Sequence, residues 1–279
     1  MSELNWLKYE VILQWVAVAC YSVSTIIFTY GNFFKNGKFQ RYGNILAVVG
    51  LMPHSAALLV RWIEQSHGPY MTRYEVLSSD AWITIVLFLL FSLKWKKINV
   101  AGMVVIPIAF LMVAAGLFMN PLMQNLPPSL RSVWLIMHVT FAKLAAGAIV
   151  LSLGSAIIYL LKEKNEQQPI YTKFPSLDIL DEYSYKFAGF GFIFWTINIV
   201  AGAIWADQSW GRYWGWDPIE TWSFITWLMY GAFAHLRLFW NLRGRKSAIF
   251  LTLCFAMSIF TIFILPFVAR SLHSEYFIP

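Results

Sequence analysis

The recurrence of apolar runs long enough to cross a bilayer constrains this chain more than any other feature. Eight are readable, near residues 11–30, 44–63, 80–95, 98–118, 132–160, 187–206, 219–240 and 247–269. A span needs about 20 mostly apolar residues. The bilayer core offers no water to open backbone groups, so such segments form helices. The third run is short, which tilt or local thinning of the bilayer accommodates. Of the 279 residues, 59% are hydrophobic and only 13% charged. The chain therefore reads as an all-α, polytopic integral membrane protein of about eight transmembrane helices, forming a single domain over 1–279. The longest polar segment, 162–186, reads as a loop with a short surface helix beginning near Ser176 or Asp178. No soluble part is large enough for a catalytic domain, and the first apolar run lacks the basic flank and cleavage site of a signal peptide.

The net charge of +7 is a topology signal rather than a mark of nucleic-acid binding. Loops near 31–43, 94–97, 161–186 and 237–246 carry 14 of the 21 Lys and Arg residues. The positive-inside rule puts those loops in the cytoplasm. An even number of spans then leaves both termini outside, together with the segment between the sixth and seventh spans. Cys20 and Cys254 stand alone in separate apolar runs, so the chain has neither a redox pair nor a C-x-x-C site for covalent haem attachment.

That outer segment, about 207–222, holds the densest chemistry. Trp210, Gly211, Arg212, Tyr213, Trp214, Gly215, Trp216, Asp217, Pro218, Ile219, Glu220, Thr221 and Trp222 pack four tryptophans and a tyrosine into thirteen residues. An aromatic belt at the membrane interface enriches Trp and Tyr, but does not interleave Gly and Arg so tightly. Flat aromatic faces with a few polar handles suit a flat apolar ligand. Part of the segment is architectural. Asp217, Pro218 and Glu220 match the N-cap, first and third positions of a helix start. Gly211 and Gly215 let the backbone turn or approach closely.

There are five histidines: His54, His67, His138, His235 and His273. An intramembrane histidine is expensive and faces the bundle interior, either bonded to a neighbouring helix or serving a ligand. His54 is about ten residues, roughly 15 Å, from the cytoplasmic end of its span, and His235 about five residues, roughly 8 Å. His138 and His273 are level with the tryptophan segment. His67, beside Gly68 and Pro69, reads as a turn residue. Two pairs of imidazoles at two depths fit the axial ligation of haem iron, and no Cys/His/Asp cluster has zinc spacing. Arg212, Lys143 and Arg131 are candidate partners for haem propionates.

The run from Trp210 to Trp222, followed by Trp227, Tyr230 and His235, resembles the WWD signature of the haem-handling superfamily, and most of all the CcsA/ResC type of the system II cytochrome c assembly machinery. His54, Arg61-Trp62, His67-Gly68-Pro69 and Tyr74-Glu75 resemble that type's early segment, and Leu272-His273-Ser274 its C-terminal histidine motif. The likeness spans roughly 45–275. It implies haem b as substrate and ligand, with His54 and His235 as an inner iron-ligating pair and His138 and His273 as an outer pair on the WWD surface. It also implies a CcsB/ResB-type membrane partner, an apocytochrome c whose C-x-x-C-H thiols receive the haem, and residence in a bacterial inner or thylakoid-type membrane. The chain would then be the haem-presenting part of a cytochrome c synthase. A haem carrier serving a chaperone, or a HemX-like regulator of haem synthesis, are the competing readings.

Overall fold

The computed structural model describes residues 3–34, 38–122, 126–269 and 271–272. Helices α1 (Glu3–Phe34), α2 (Lys38–Gln65), α3 (Arg73–Lys94), α4 (Gly102–Leu117), α5 (Val133–Lys164), α6 (Leu177–Trp210), α7 (Pro218–Phe239) and α8 (Gly244–Ile259) follow in order. A π-helical turn, Phe260–Ile264, leads into the short α9, Leu265–Val268. No strand occurs among the described residues. Seven of these helical segments are long and apolar enough to span a membrane. The eighth, α7, has the length at 22 residues. Its run of Trp222, Trp227, Tyr230, His235 and Arg237 keeps it less apolar.

The helices outrun their apolar stretches. Helix α3 begins seven residues before the apolar run at 80, because its polar first turn is satisfied internally. Thr72 caps it, and Glu75 returns a hydrogen bond to the cap backbone. The expected surface helix near Ser176 does not exist separately. Ser176 is the N-cap of α6, which continues unbroken for 34 residues into the sixth span. The last span is interrupted instead. Pro266 has no N–H to give the preceding turn, and the chain widens into the π turn just before it.

Helix α5 is the axis of the bundle: 78% of its apolar window is buried, against 28–44% for the other spans. Its small residues Ala145, Gly147, Ala148, Ser152, Gly154, Ser155 and Ala156 allow the close backbone approach that holds helices together where lipid offers no hydrophobic drive. Helix α6 packs along α5, α1 along α2, and α4 against α1, α3 and α5. Helix α7 packs on α6 and α8.

Two polar clusters pin the ends. At the end bearing the tryptophan segment, Arg61 Nε and Nη1 each lie 2.8 Å from a carboxylate, Glu10 and Glu75 respectively, and Nη2 donates to the Pro121 carbonyl at 2.5 Å. This buried triad ties α1, α2, α3 and the loop before α5 together. At the opposite, basic end, Arg237 pairs with Asp181 at 2.7 Å, and Asp181 also accepts from the Gly244 N–H at 3.0 Å. That contact joins α6, α7 and the start of α8.

Candidate functional site

The tryptophan segment is a folded loop held by its own carboxylates. Gly211 ends α6 at φ 72° with its N–H on the Asp207 carbonyl. Asp217 caps α7, accepting from Ile219 N–H at 2.9 Å, and Pro218 takes the first helical position. Glu220 Oε2 accepts from the N–H groups of Gly215 at 2.8 Å and Asp217 at 3.1 Å. Asp217 Oδ2 also accepts from Leu272 N–H at 2.8 Å, so the end of the described chain is fastened to the loop. A Cβ on Gly215 would overlap the Arg212 guanidinium, which lies across it.

The four tryptophans divide by direction. Trp210 packs edge-on against Trp205 at 4.9 Å, and Trp222 against Phe260 at 4.8 Å. Trp214 stands between Trp216 and Phe224. Trp216 is 70% exposed, with Tyr213 at 61% beside it. Trp216 also has φ 57°, a left-handed conformation that a bulky side chain rarely adopts. The loop thus presents Trp216 and Tyr213 outward, while the half-buried Trp210 packs inward on a base. That base is a small core of Met71, Leu130, Leu135 and Trp205.

His138 stands directly beneath. Its Nδ1 donates to the Asn198 carbonyl of α6 at 2.9 Å, and its ring stacks on Trp205 at 6.3 Å and 21°. It borders a cavity of about 70 Å³ shared with Tyr213, Trp214, Ile219 and Glu220. It also borders a cavity of about 190 Å³, lined by Asp80, Lys143, Asn198, Thr261 and Pro266 among others. The structure therefore brings His138 and the tryptophan segment together. His273 lies outside the described residues, next in sequence to Leu272.

The other candidates fall elsewhere. His54 is fully buried in α2, with Nδ1 3.1 Å from Tyr21 Oη and Nε2 3.0 Å from Ser78 Oγ. His235 is exposed near the end of α7, beside Phe239 and Trp240. Helix α2 packs on α1 and α3, and no interface of comparable size joins it to α7. The expected inner pair is therefore not assembled. His67 is buried in its turn, its ring 2.8 Å from the Gly68 carbonyl. Lys143, expected to await a propionate, already has an anionic partner: Nζ is 3.0 Å from Asp80 and donates to Ser79 Oγ at 2.6 Å. Arg212 and Arg131 are exposed at the tryptophan-bearing end.

A family model described as Cytochrome C assembly protein matches residues 9–273. The chain belongs to the cytochrome c assembly protein family. It is 31% identical over 275 residues to the cytochrome c biogenesis protein CcsA of Mesostigma viride, covering 88% of this chain and 90% of that one. The CcsA of Guillardia theta is 33% identical over 280 residues, covering 90% and 91%. The CcsA of Chlamydomonas reinhardtii is 35% identical over 228 residues, covering 79% and 64%. Among solved structures, cytochrome c haem lyase CcmF superposes with a TM-score of 0.70 at 18% identity, over 99% of this chain and 49% of that one. That likeness is one of fold, and the chain spans about half of the CcmF structure.

For a cytochrome c assembly protein, the residues that sequence reasoning passed over are as telling as those it named. Asp80 hid inside an apolar run, and Asn198, Gly202 and Trp205 read as ordinary span residues. Their spacing of four and three residues along α6 was visible, but only contact with His138 gives it meaning.

Proposed function

We propose that this cytochrome c assembly protein presents haem on its tryptophan-bearing face for covalent attachment to apocytochrome c. The observation that carries this reading is the juxtaposition of His138 with the WWD loop. An imidazole whose Nδ1–H is committed to a carbonyl keeps Nε2 as its metal-ligating nitrogen. The small cavity above the ring holds only a few waters. A macrocycle would need the loop to open over this cavity, with Tyr213 and Trp214 as its walls, to bring its iron to His138. His273, which follows the Leu272 fastened to Asp217, is the second axial ligand in this reading. Arg212 and Arg131 are the propionate partners.

The basic end, with 14 of the 21 Lys and Arg residues in its loops, faces the cytoplasm, and the WWD loop faces the periplasm or lumen. A CcsB/ResB-type partner and the apocytochrome dock on that outer side. Each C-x-x-C-H thiol adds across a vinyl group: sulfur bonds to the inner vinyl carbon, and the thiol proton goes to the terminal one. This chain supplies orientation, axial ligation and exclusion of water rather than an acid or nucleophile. An inner site on His54 and His235 requires α2 and α7 to converge, and Tyr21 or Ser78 to release the imidazole. The proposal rests on the outer site, where His138 already borders the tryptophan loop.

The test is coexpression with a CcsB/ResB-type protein and an apocytochrome, in a host without its own cytochrome c maturation. Covalent c-type haem should form, and should be lost with His138→Ala or Trp214→Ala. Undiminished cytochrome with His138→Ala would contradict the reading. Haem released to a soluble chaperone without attachment would favour the carrier alternative.

A further inference from the structure

We infer that Asn198, Gly202 and Trp205, on three successive turns of one face of α6, form a slot that fixes the orientation and the ligating nitrogen of His138. The inference rests on the proposed role of His138 and names the positioning residues for it. Each wall of the slot does something different. The Asn198 carbonyl takes the Nδ1–H at 2.9 Å, which selects the tautomer. The Trp205 indole lies nearly parallel to the imidazole, at 21°, and limits its tilt. The indole is itself held, because its Nε1–H donates to the Ser129 carbonyl at 3.0 Å and its side chain is almost fully buried.

Gly202 is the gap between them. A Cβ there would stand 2.5 Å from His138 Nδ1, 2.8 Å from Cε1 and 3.4 Å from Cγ. Ordinary contact begins near 3.4 Å, so the ring would have to withdraw by about 0.9 Å. That movement is directed away from α6, so it breaks the carbonyl bond as it relieves the overlap. Trp205, nearly parallel with its ring centre 6.3 Å away, bounds the imidazole on one side. The glycine is therefore not a helix-packing residue in general but the clearance for one imidazole.

Gly189 supplies the control. It lies on the same helix, and a Cβ there meets nothing within 4 Å. The experiment compares haem-loaded, full-length protein as wild type, Gly202→Ala and Gly189→Ala, by absorption and electron paramagnetic resonance. Wild type and Gly189→Ala should show the same low-spin bis-imidazole signal. Gly202→Ala should lose haem affinity on the order of tenfold, as loss of outer-shell support for a metal ligand does, with the bound haem shifted toward high spin. Identical spectra for all three proteins would overturn the slot while leaving haem binding intact. Wild type without haem would instead sink the reading beneath it.

A double-mutant cycle covers the case in which Gly202→Ala unfolds. Its penalty on thermal unfolding should vanish in a His138→Ala background, where no ring remains to be displaced. An equal penalty with and without the imidazole would show that the contact is not with His138.

Discussion

The Asp80–Lys143 pair offers the sharpest separation of structure from function. Both side chains are nearly enclosed, at 5% and 9% exposure, with 3.0 Å between charges. They lie about 10 and 15 Å along α3 and α5 from the helix starts at the tryptophan-bearing end. Asp80→Asn removes the anion and leaves an ammonium with Ser79 Oγ as its remaining polar neighbour. Stranding one charge of a buried pair costs about 3–5 kcal/mol. Lys143→Gln alone strands the carboxylate and should cost a similar amount. The double variant replaces both charges with neutral amides that can bond each other and Ser79, and should return to within about 1–2 kcal/mol of wild type. Denaturant unfolding in detergent, followed by tryptophan fluorescence, reads all four proteins. Stability losses that simply add, or an Asp80→Asn variant as stable as wild type, would refute the reasoning. Haem content adds a second answer. The double variant should keep its haem, because the Lys143 charge belongs to Asp80. A stable but haem-free double variant would return Lys143 to a propionate.

Arg61→Met leaves Glu10 and Glu75 facing each other without their cation, and should destabilise by about 3–5 kcal/mol. Glu10→Gln, which removes the triad's excess negative charge, should cost clearly less in the same unfolding assay. Asp217→Ala removes both the α7 cap and the tie to Leu272. It should cost about 1 kcal/mol, and hydrogen exchange at the Leu272 amide should accelerate while exchange within α5 stays unchanged. Trp216→Gly relieves a left-handed backbone and should stay within about 1 kcal/mol of wild type. It also strips the most exposed indole of the loop, so haem retention on gel filtration should fall without a loss of stability.

The fold was legible because lipid leaves so few solutions. Apolar length alone marked the spans, and Asp217, Pro218 and Glu220 announced the start of α7 through their spacing. Long-range partnership of polar groups was not legible. The polar first turn of α3 looked like loop because Arg61, far away in sequence, is what makes Glu75 affordable there. Lys143 looked like a waiting cation because Asp80 was concealed in an apolar run. His54 and His235 looked like a pair because depth along a helix is readable from sequence, whereas the side of the bundle on which a helix packs is not. His138 could be matched in depth to the tryptophan loop, but the carbonyl, gap and indole that receive its ring appear only when α5 and α6 are laid together.

The central proposal is that His138 ligates haem iron beneath the tryptophan loop. Absorption spectra of the purified protein, as wild type beside His138→Ala and His273→Ala, test it most directly. Wild type should give the sharp Soret and split visible bands of low-spin iron between two imidazoles, and each single variant should lose that signature. A low-spin spectrum unchanged by His138→Ala would contradict the account.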